Sequence, residues 1–285
     1  MRRYALILVL ILLAAVMGGC ISSSGGGSSS TSGTSPRTTS ETASPHTTTT
    51  SSPTETSPTT TTAPPSPSPG EWLSKVRQVE YTSNVTLDLN VTVTQGNFSQ
   101  TDKLQLRILE TAYLDFQGRN GIINTTTTSL SDGTSSTTYT RIVNGRIYTK
   151  TLSGWLEVNN SAMGDLVWGY NIISLAKKYI NRTPIQRRED NGLTLVYGID
   201  TGDLLKMAAT YFSPTPSAEL NVSNGLLELH FVNGELKWGR ISYEASSEAE
   251  VSDPTMGNMT IVQKGSWEEV INVTGVNHKR EVEKP

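Results

Sequence analysis

The sequence predicts an α+β fold, a large curved antiparallel sheet forming an open half-barrel, with a few helices packed on its concave face. Three observations predict it. Apolar and polar side chains alternate strictly from about position 83, Asn-Gly pairs sit between matching apolar residues, and only a few short stretches have helical spacing.

In chain order, the folded part opens with a short helix from Glu71, where Trp72, Val76 and Val79 recur near helical spacing after Pro69-Gly70. The period then changes to two. Val85, Leu87, Leu89, Val91 and Val93 alternate with Thr86, Asp88, Asn90, Thr92 and Thr94, the pattern of a half-buried strand. Further strands are predicted near Leu104 to Leu109, Ala112 to Gln117, Ile122 to Ser129, Trp155 to Val158, Ile185 to Arg188, Leu193 to Ile199, Ile241 to Val251, and Met259 to Thr274 with a bend at Gly265.

Asn144-Gly145 and Asn233-Gly234 predict hairpins, because that dipeptide accepts the positive φ angles of a type I′ turn. The first sets Ile142 against Ile147. The second sets Phe231 against Leu236 and Leu229 against Trp238, with His230 facing Lys237. Helices are predicted over Asn171 to Ile180, with Ile172, Leu175, Ala176 and Tyr179 on one side, and over Asp203 to Phe212, following Thr201 as a cap.

Residues 1–20 read as an address. Arg2 and Arg3 precede a continuously apolar run from Ala5 to Val16, and Gly18-Gly19 stands before Cys20. The run is shorter than the roughly 20 residues that span a bilayer, which favours a cleaved signal. Met17-Gly18-Gly19-Cys20 resembles a lipobox, and the resemblance implies lipidation of Cys20 and a membrane anchor on the outer face of the cytoplasmic membrane. The alternatives are a plain secretory signal with an incidental cysteine, or an uncleaved anchor. Residues 21–70 are nearly all Ser, Thr, Pro and Gly, too polar to repay the entropy of ordering, and read as a disordered stalk. Its Thr runs suit O-glycosylation or an unmodified linker; either way it supplies distance. Residues 71–285 form the domain.

Cys20 is the one cysteine, so the domain has no disulfide and no thiolate metal site. Net charge is −3 and the basic residues are scattered, which argues against nucleic acid as a partner. No catalytic constellation, metal site or cofactor motif is read. Ser174-Leu175-Ala176-Lys177 has Ser-x-x-Lys spacing, but no Lys-Thr-Gly strand accompanies it. The acidic stretch Glu244, Glu248, Glu250 and Asp253 lacks EF-hand spacing and reads as a solvated strand. His230 has no convergent ligands, and Asp200 and Asp203 read as residues around a helix start.

Asn-x-Ser/Thr sequons occur at Asn84, Asn90, Asn97, Asn124, Asn159, Asn181, Asn221, Asn258 and Asn272. Their intervening residues are often apolar (Val, Phe98, Met259), which places the asparagines on the solvated face of the sheet. Glycans coating the convex side are one reading; Asn and Thr as ordinary polar strand residues are the other.

The order of elements, with the hairpin carrying Tyr148-Thr149-Lys150 and Gly154-Trp155-Leu156-Glu157-Val158, resembles the LolA/LppX-like lipoprotein fold. That resemblance implies an open half-barrel whose concave face holds acyl chains. It implies a cell-surface lipoprotein that binds or carries a lipid or other apolar ligand. If a cavity exists, Trp155, Met163, Trp168, Tyr179 and Trp238 are the side chains expected to line it; the alternative is that these side chains are core. The alternative is a non-catalytic structural or adhesive envelope protein with a filled core and a glycosylated surface; an enzyme is not expected. The sequence names no protein partner.

Overall fold

The computed structural model describes residues 67–158, 161–253 and 257–285. The signal segment with Cys20, the stalk as far as residue 66, and Asn159 lie outside them.

The sheet has eleven strands: β1 (Gln78–Gln95), β2 (Phe98–Asp115), β3 (Asn120–Ser129), β4 (Ser135–Val143), β5 (Arg146–Thr151), β6 (Gly154–Val158), β7 (Gln186–Arg188), β8 (Leu193–Gly198), β9 (Glu219–Val232), β10 (Glu235–Asp253) and β11 (Gly257–Val276). Their spatial order is β6-β5-β4-β3-β2-β1-β11-β10-β9-β8-β7, and every pairing is antiparallel. First and last strands pair at the centre, and β6 and β7 are the free edges, so the sheet is an open half-barrel. Among the described residues four helices accompany it: α1 (Pro69–Lys75), α2 (Ser161–Gly169), α3 (Ile172–Tyr179) and α4 (Thr201–Phe212).

Periodicity two sets which side faces in. Val79, Tyr81, Val85, Leu87, Leu89 and Val91 of β1 are buried, and so are Leu227, Leu229 and Phe231 of β9. The predicted strand pair Leu104–Leu109 and Ala112–Gln117 is one long strand, because no breaker separates them. Both predicted type I′ turns form, with φ of 53° and 80° at Asn144-Gly145 and again at Asn233-Gly234. Ile142 faces Ile147 as expected.

The second hairpin differs one step from its turn. Leu236 faces Phe231, but a bulge before Trp238 pairs that residue with His230 and brings Gly239 opposite Leu229. One extra residue reverses the facing of the strand. Trp238 thus points away from the helices and stacks on His230, with ring centroids 5.1 Å apart.

Missing side chains let the helices approach. A Cβ on Gly239 would stand 2.4 Å from Ile172 Cδ1 of α3, and one on Gly225 would stand 2.4 Å from Leu204 Cδ1 of α4. At Gly265 a Cβ would meet the Asp88 carbonyl oxygen at 1.9 Å, so the position needs glycine, and β11 runs through it with its pairing unbroken where a bend was expected.

The helix ends are also specific. α1 begins at Pro69, two residues before the expected start, since Ser68 and Glu71 form a capping box. Asn171 caps α3 by accepting the Ser174 N–H at 3.0 Å. α4 is entered from Asp200 rather than Thr201, and Asp200 makes no cap bond because Arg182 holds its carboxylate at 2.8 Å.

Candidate functional site

The inner face is apolar along most of its rows, and its polar breaks are where chemistry concentrates. Successive rows across β2, β1, β11 and β10 read Leu104, Leu89, Gly265, Ala245; then Leu106, Leu87, Trp267, Tyr243; then Ile108, Val85, Glu269, Ile241; then Glu110, Ser83, Ile271, Gly239. Glu110 and Glu269 occupy inward positions that the alternation reserves for apolar side chains. Both are half-buried.

Tyr81 of β1 donates to Glu110 Oε1 at 3.0 Å and Thr125 of β3 to Oε2 at 3.2 Å. Burial pushes the Glu110 carboxyl up, and these two bonds offset only part of that. Burial also pushes Glu269 up, to about 7, reinforced by the Glu110 charge and opposed by Ser83 and Trp267. Around them stand rings from α4, β10 and β11 itself. Tyr211 of α4 lies 4.6 Å from Trp267, Tyr243 stacks on Trp267 at 6.1 Å, and Phe212 meets Tyr243 edge-on at 6.1 Å.

A second break lies two rows beyond Trp267. Gln263 faces Ser247 across β11 and β10, both are buried, and Gln263 Oε1 and Ser247 Oγ have no hydrogen-bond partner among the described residues.

The predicted cavity residues do not converge. Tyr179 is fully buried, its hydroxyl donating to Asp203 Oδ2 at 2.7 Å and accepting the Asp200 N–H at 2.9 Å. Trp168 packs edge-on against Phe116 at 6.2 Å beneath the Arg119 guanidinium, and its buried Nε1 has no partner among the described residues. Met163 packs against the core from α2. Trp155 sits at the β6 edge under the Arg141 guanidinium, on the opposite side of the sheet from Ile142 and Ile147, and Trp238 is outward for the reason given above.

The other candidates are engaged locally. Ser174 Oγ donates to the Trp168 carbonyl at 2.7 Å, while Lys177 Nζ reaches the Val76 carbonyl at 3.1 Å, so the two do not face one another. His230 bonds Thr194 Oγ1 at 2.9 Å. Among the described residues no group of three or more acidic, His or Cys side chains could hold a metal ion.

On the outer face, Asn84, Asn90, Asn221, Asn258 and Asn272 are exposed and Asn124 is half-exposed; Asn97, in the β1–β2 turn, and Asn181, just after α3, are exposed off that face. Asn90 and Asn221 border a shallow polar depression of about 580 Å³, also lined by Asp88, Lys103, Glu244 and Lys264.

No protein-family model and no curated protein sequence matches the chain. Among solved structures it is similar to LprF from Mycobacterium bovis, at 11% identity over 76% of this chain and 92% of that one, with a TM-score of 0.39. It is also similar to a β-barrel-like protein of domain of unknown function DUF1849 from Brucella abortus, at 9% identity over 70% of this chain and 100% of that one, with a TM-score of 0.21. A DUF1329 family protein from Desulfovibrio piger matches at 9% identity over 75% of this chain and 90% of that one, with a TM-score of 0.17. Likenesses this distant say nothing of ligand or activity.

Proposed function

We propose that the domain binds a lipid, or another ligand with a long apolar part, against the inner face of its sheet. The chain presents it at the outer face of the cytoplasmic membrane, held by a lipid on Cys20 and spaced by the Ser/Thr-rich stalk, with no catalytic step of its own. Two acyl chains on the anchor make attachment stable where one is marginal. Among the described residues no helix is long and apolar enough to cross a membrane.

One observation carries this reading. The longest apolar rows, Val85 to Val91 on β1 and Leu104 to Ile108 on β2, lie at the centre of the sheet, whereas α4, the longest described helix, packs over β9, β10 and β11. No described helix brings its backbone comparably close to β1 or β2, although the inward side chains there, Leu87 and Leu89 among them, are buried. From Val85 to Val91 the strand runs about 20 Å, the reach of a long acyl chain.

A second reading draws on a different observation. The inner residues are closely packed and the sequon asparagines point outward, which suits a structural or adhesive envelope protein that meets partners through a glycosylated exterior. Organic-solvent extraction of the purified full chain followed by mass spectrometry separates the two. Carriage predicts an apolar species at near one per protein. Folded protein that yields no such species supports the structural reading instead.

A further inference from the structure

We infer that the inner face carries a recognition site for an organic ammonium group, formed by Glu110 and Glu269 among Tyr81, Tyr211, Tyr243 and Trp267. The inference rests on the inner face being where a ligand lies, and it adds the chemistry of that ligand's head.

The first ground is uncompensated charge. Glu110 comes from β2 and Glu269 from β11, set diagonally across Ser83 and Val85 of β1. Among the described residues no Lys or Arg contributes to the electrostatics of either one; beside Glu110 in its row stand Thr125, Ser83 and then Ile271, and beside Glu269 stand Val85, Ile108 and Ile241, with no cation among them. Half-buried carboxylates in apolar surroundings call for a cation or a proton.

The second ground is the walls. Tyr211, Trp267 and Tyr243 are stacked or tilted against one another on the same face, with centroids 4.6 and 6.1 Å apart. The negative potential over aromatic faces attracts cations, and rings gathered around a carboxylate are the surroundings an alkylammonium ion prefers. A hard metal ion is served less well, since calcium takes six to eight oxygen ligands and rings supply none.

The third ground is a buried phenol on the same face. Tyr243 is 3% exposed. It lies within electrostatic reach of Tyr211 and Glu269, so a polar group waits beside the carboxylates. Apolar rows at Leu87, Leu89, Leu104 and Leu106 continue from this point along the sheet, placing a tail on the rows and a charged head at the acids.

Calorimetric titration of the full chain at about pH 8 tests this, using dodecyltrimethylammonium, dodecyl maltoside and dodecyl sulfate below their micelle-forming concentrations, and tetramethylammonium as a head without a tail. The ammonium amphiphile is expected to bind about tenfold more tightly than the neutral one. Glu110→Gln with Glu269→Gln should bring the two within about twofold of each other while leaving maltoside affinity unchanged. Should that double variant fail to fold by circular dichroism, the ranking of the three head groups on the wild-type chain decides alone. Equal binding of cationic and neutral amphiphiles overturns the ammonium site and leaves the apolar reading standing. Tetramethylammonium binding with no response to the neutral amphiphile does the reverse, and silence from every probe overturns both.

Discussion

The Tyr179 hydroxyl donates to Asp203 Oδ2 at 2.7 Å, joining α3 to the first turn of α4 across 24 residues of sequence. Lys178 pairs with the same carboxylate at 2.5 Å, and Tyr170 donates to it at 3.3 Å. Asp203 is buried, so its charge is tolerable only because these donors surround it.

Tyr179→Phe removes that donor and also strands the Asp200 N–H. A loss of about 1–3 kcal/mol in unfolding free energy is expected, measured by urea denaturation. Burial pushes the Asp203 carboxyl up, but Lys178 and Tyr179 outweigh it and hold the group below its usual range. An acid whose pKa is lowered on folding adds stability above its unfolded value of about 4 and loses it as pH falls through the folded value. In Asp203→Asn, stability should fall less steeply below about pH 4 than in wild type.

Glu269 has the opposite sign. Its folded pKa, about 7, stands above that of an unfolded glutamate, so the folded state favours the proton. The associated stability is full below about pH 4.3 and drains away as pH rises towards 7. The titratable groups facing it are Glu110, Tyr81, Tyr211 and Tyr243, and none supplies positive charge. Glu269→Gln should therefore match wild type at about pH 4 and melt higher at about pH 8, as followed by thermal denaturation at both.

Gly265→Ala and Gly239→Ala separate backbone from side-chain crowding. The first places a methyl against the Asp88 carbonyl, which cannot yield without moving β1; the second meets the tip of Ile172, which can turn aside. Gly265→Ala is expected at or beyond the upper end of the ~1–3 kcal/mol typical of overpacking, and Gly239→Ala near the lower end. Adding Ile172→Val to the latter should restore part of the loss, read from denaturant midpoints.

The sheet was legible because Val85, Leu87, Leu89 and Val91 repeat with period two among Thr and Asn, and because Asn-Gly at 144 and 233 favours one turn geometry. The facing of Trp238 was not, since a bulge leaves no mark in local spacing yet exchanges the two sides of a strand. α2 escaped for another reason: Ser161–Gly169 holds two glycines, and its apolar residues form no single stripe. Glu110 and Glu269 lie 159 residues apart in sequence, and only the register of β1 brings them together. Their trace was there as a charge at an inward position, in Ile108-x-Glu110-x-Ala112 and Trp267-x-Glu269-x-Ile271.

Glycans on the convex side make a separate prediction. Intact-mass spectra of protein from its native source should fall on deglycosylation, with modified peptides mapping to exposed asparagines such as Asn84, Asn90 and Asn221. An unchanged mass assigns these residues to ordinary strand polarity.

Quenching of tryptophan fluorescence by a brominated fatty acid tests the central claim most directly, because Trp267 is on the inner face and Trp238 on the outer one. Binding against the inner rows predicts saturable quenching that shrinks in Trp267→Phe and is unchanged in Trp238→Phe. Absent quenching, or quenching that depends on Trp238 instead, contradicts the account.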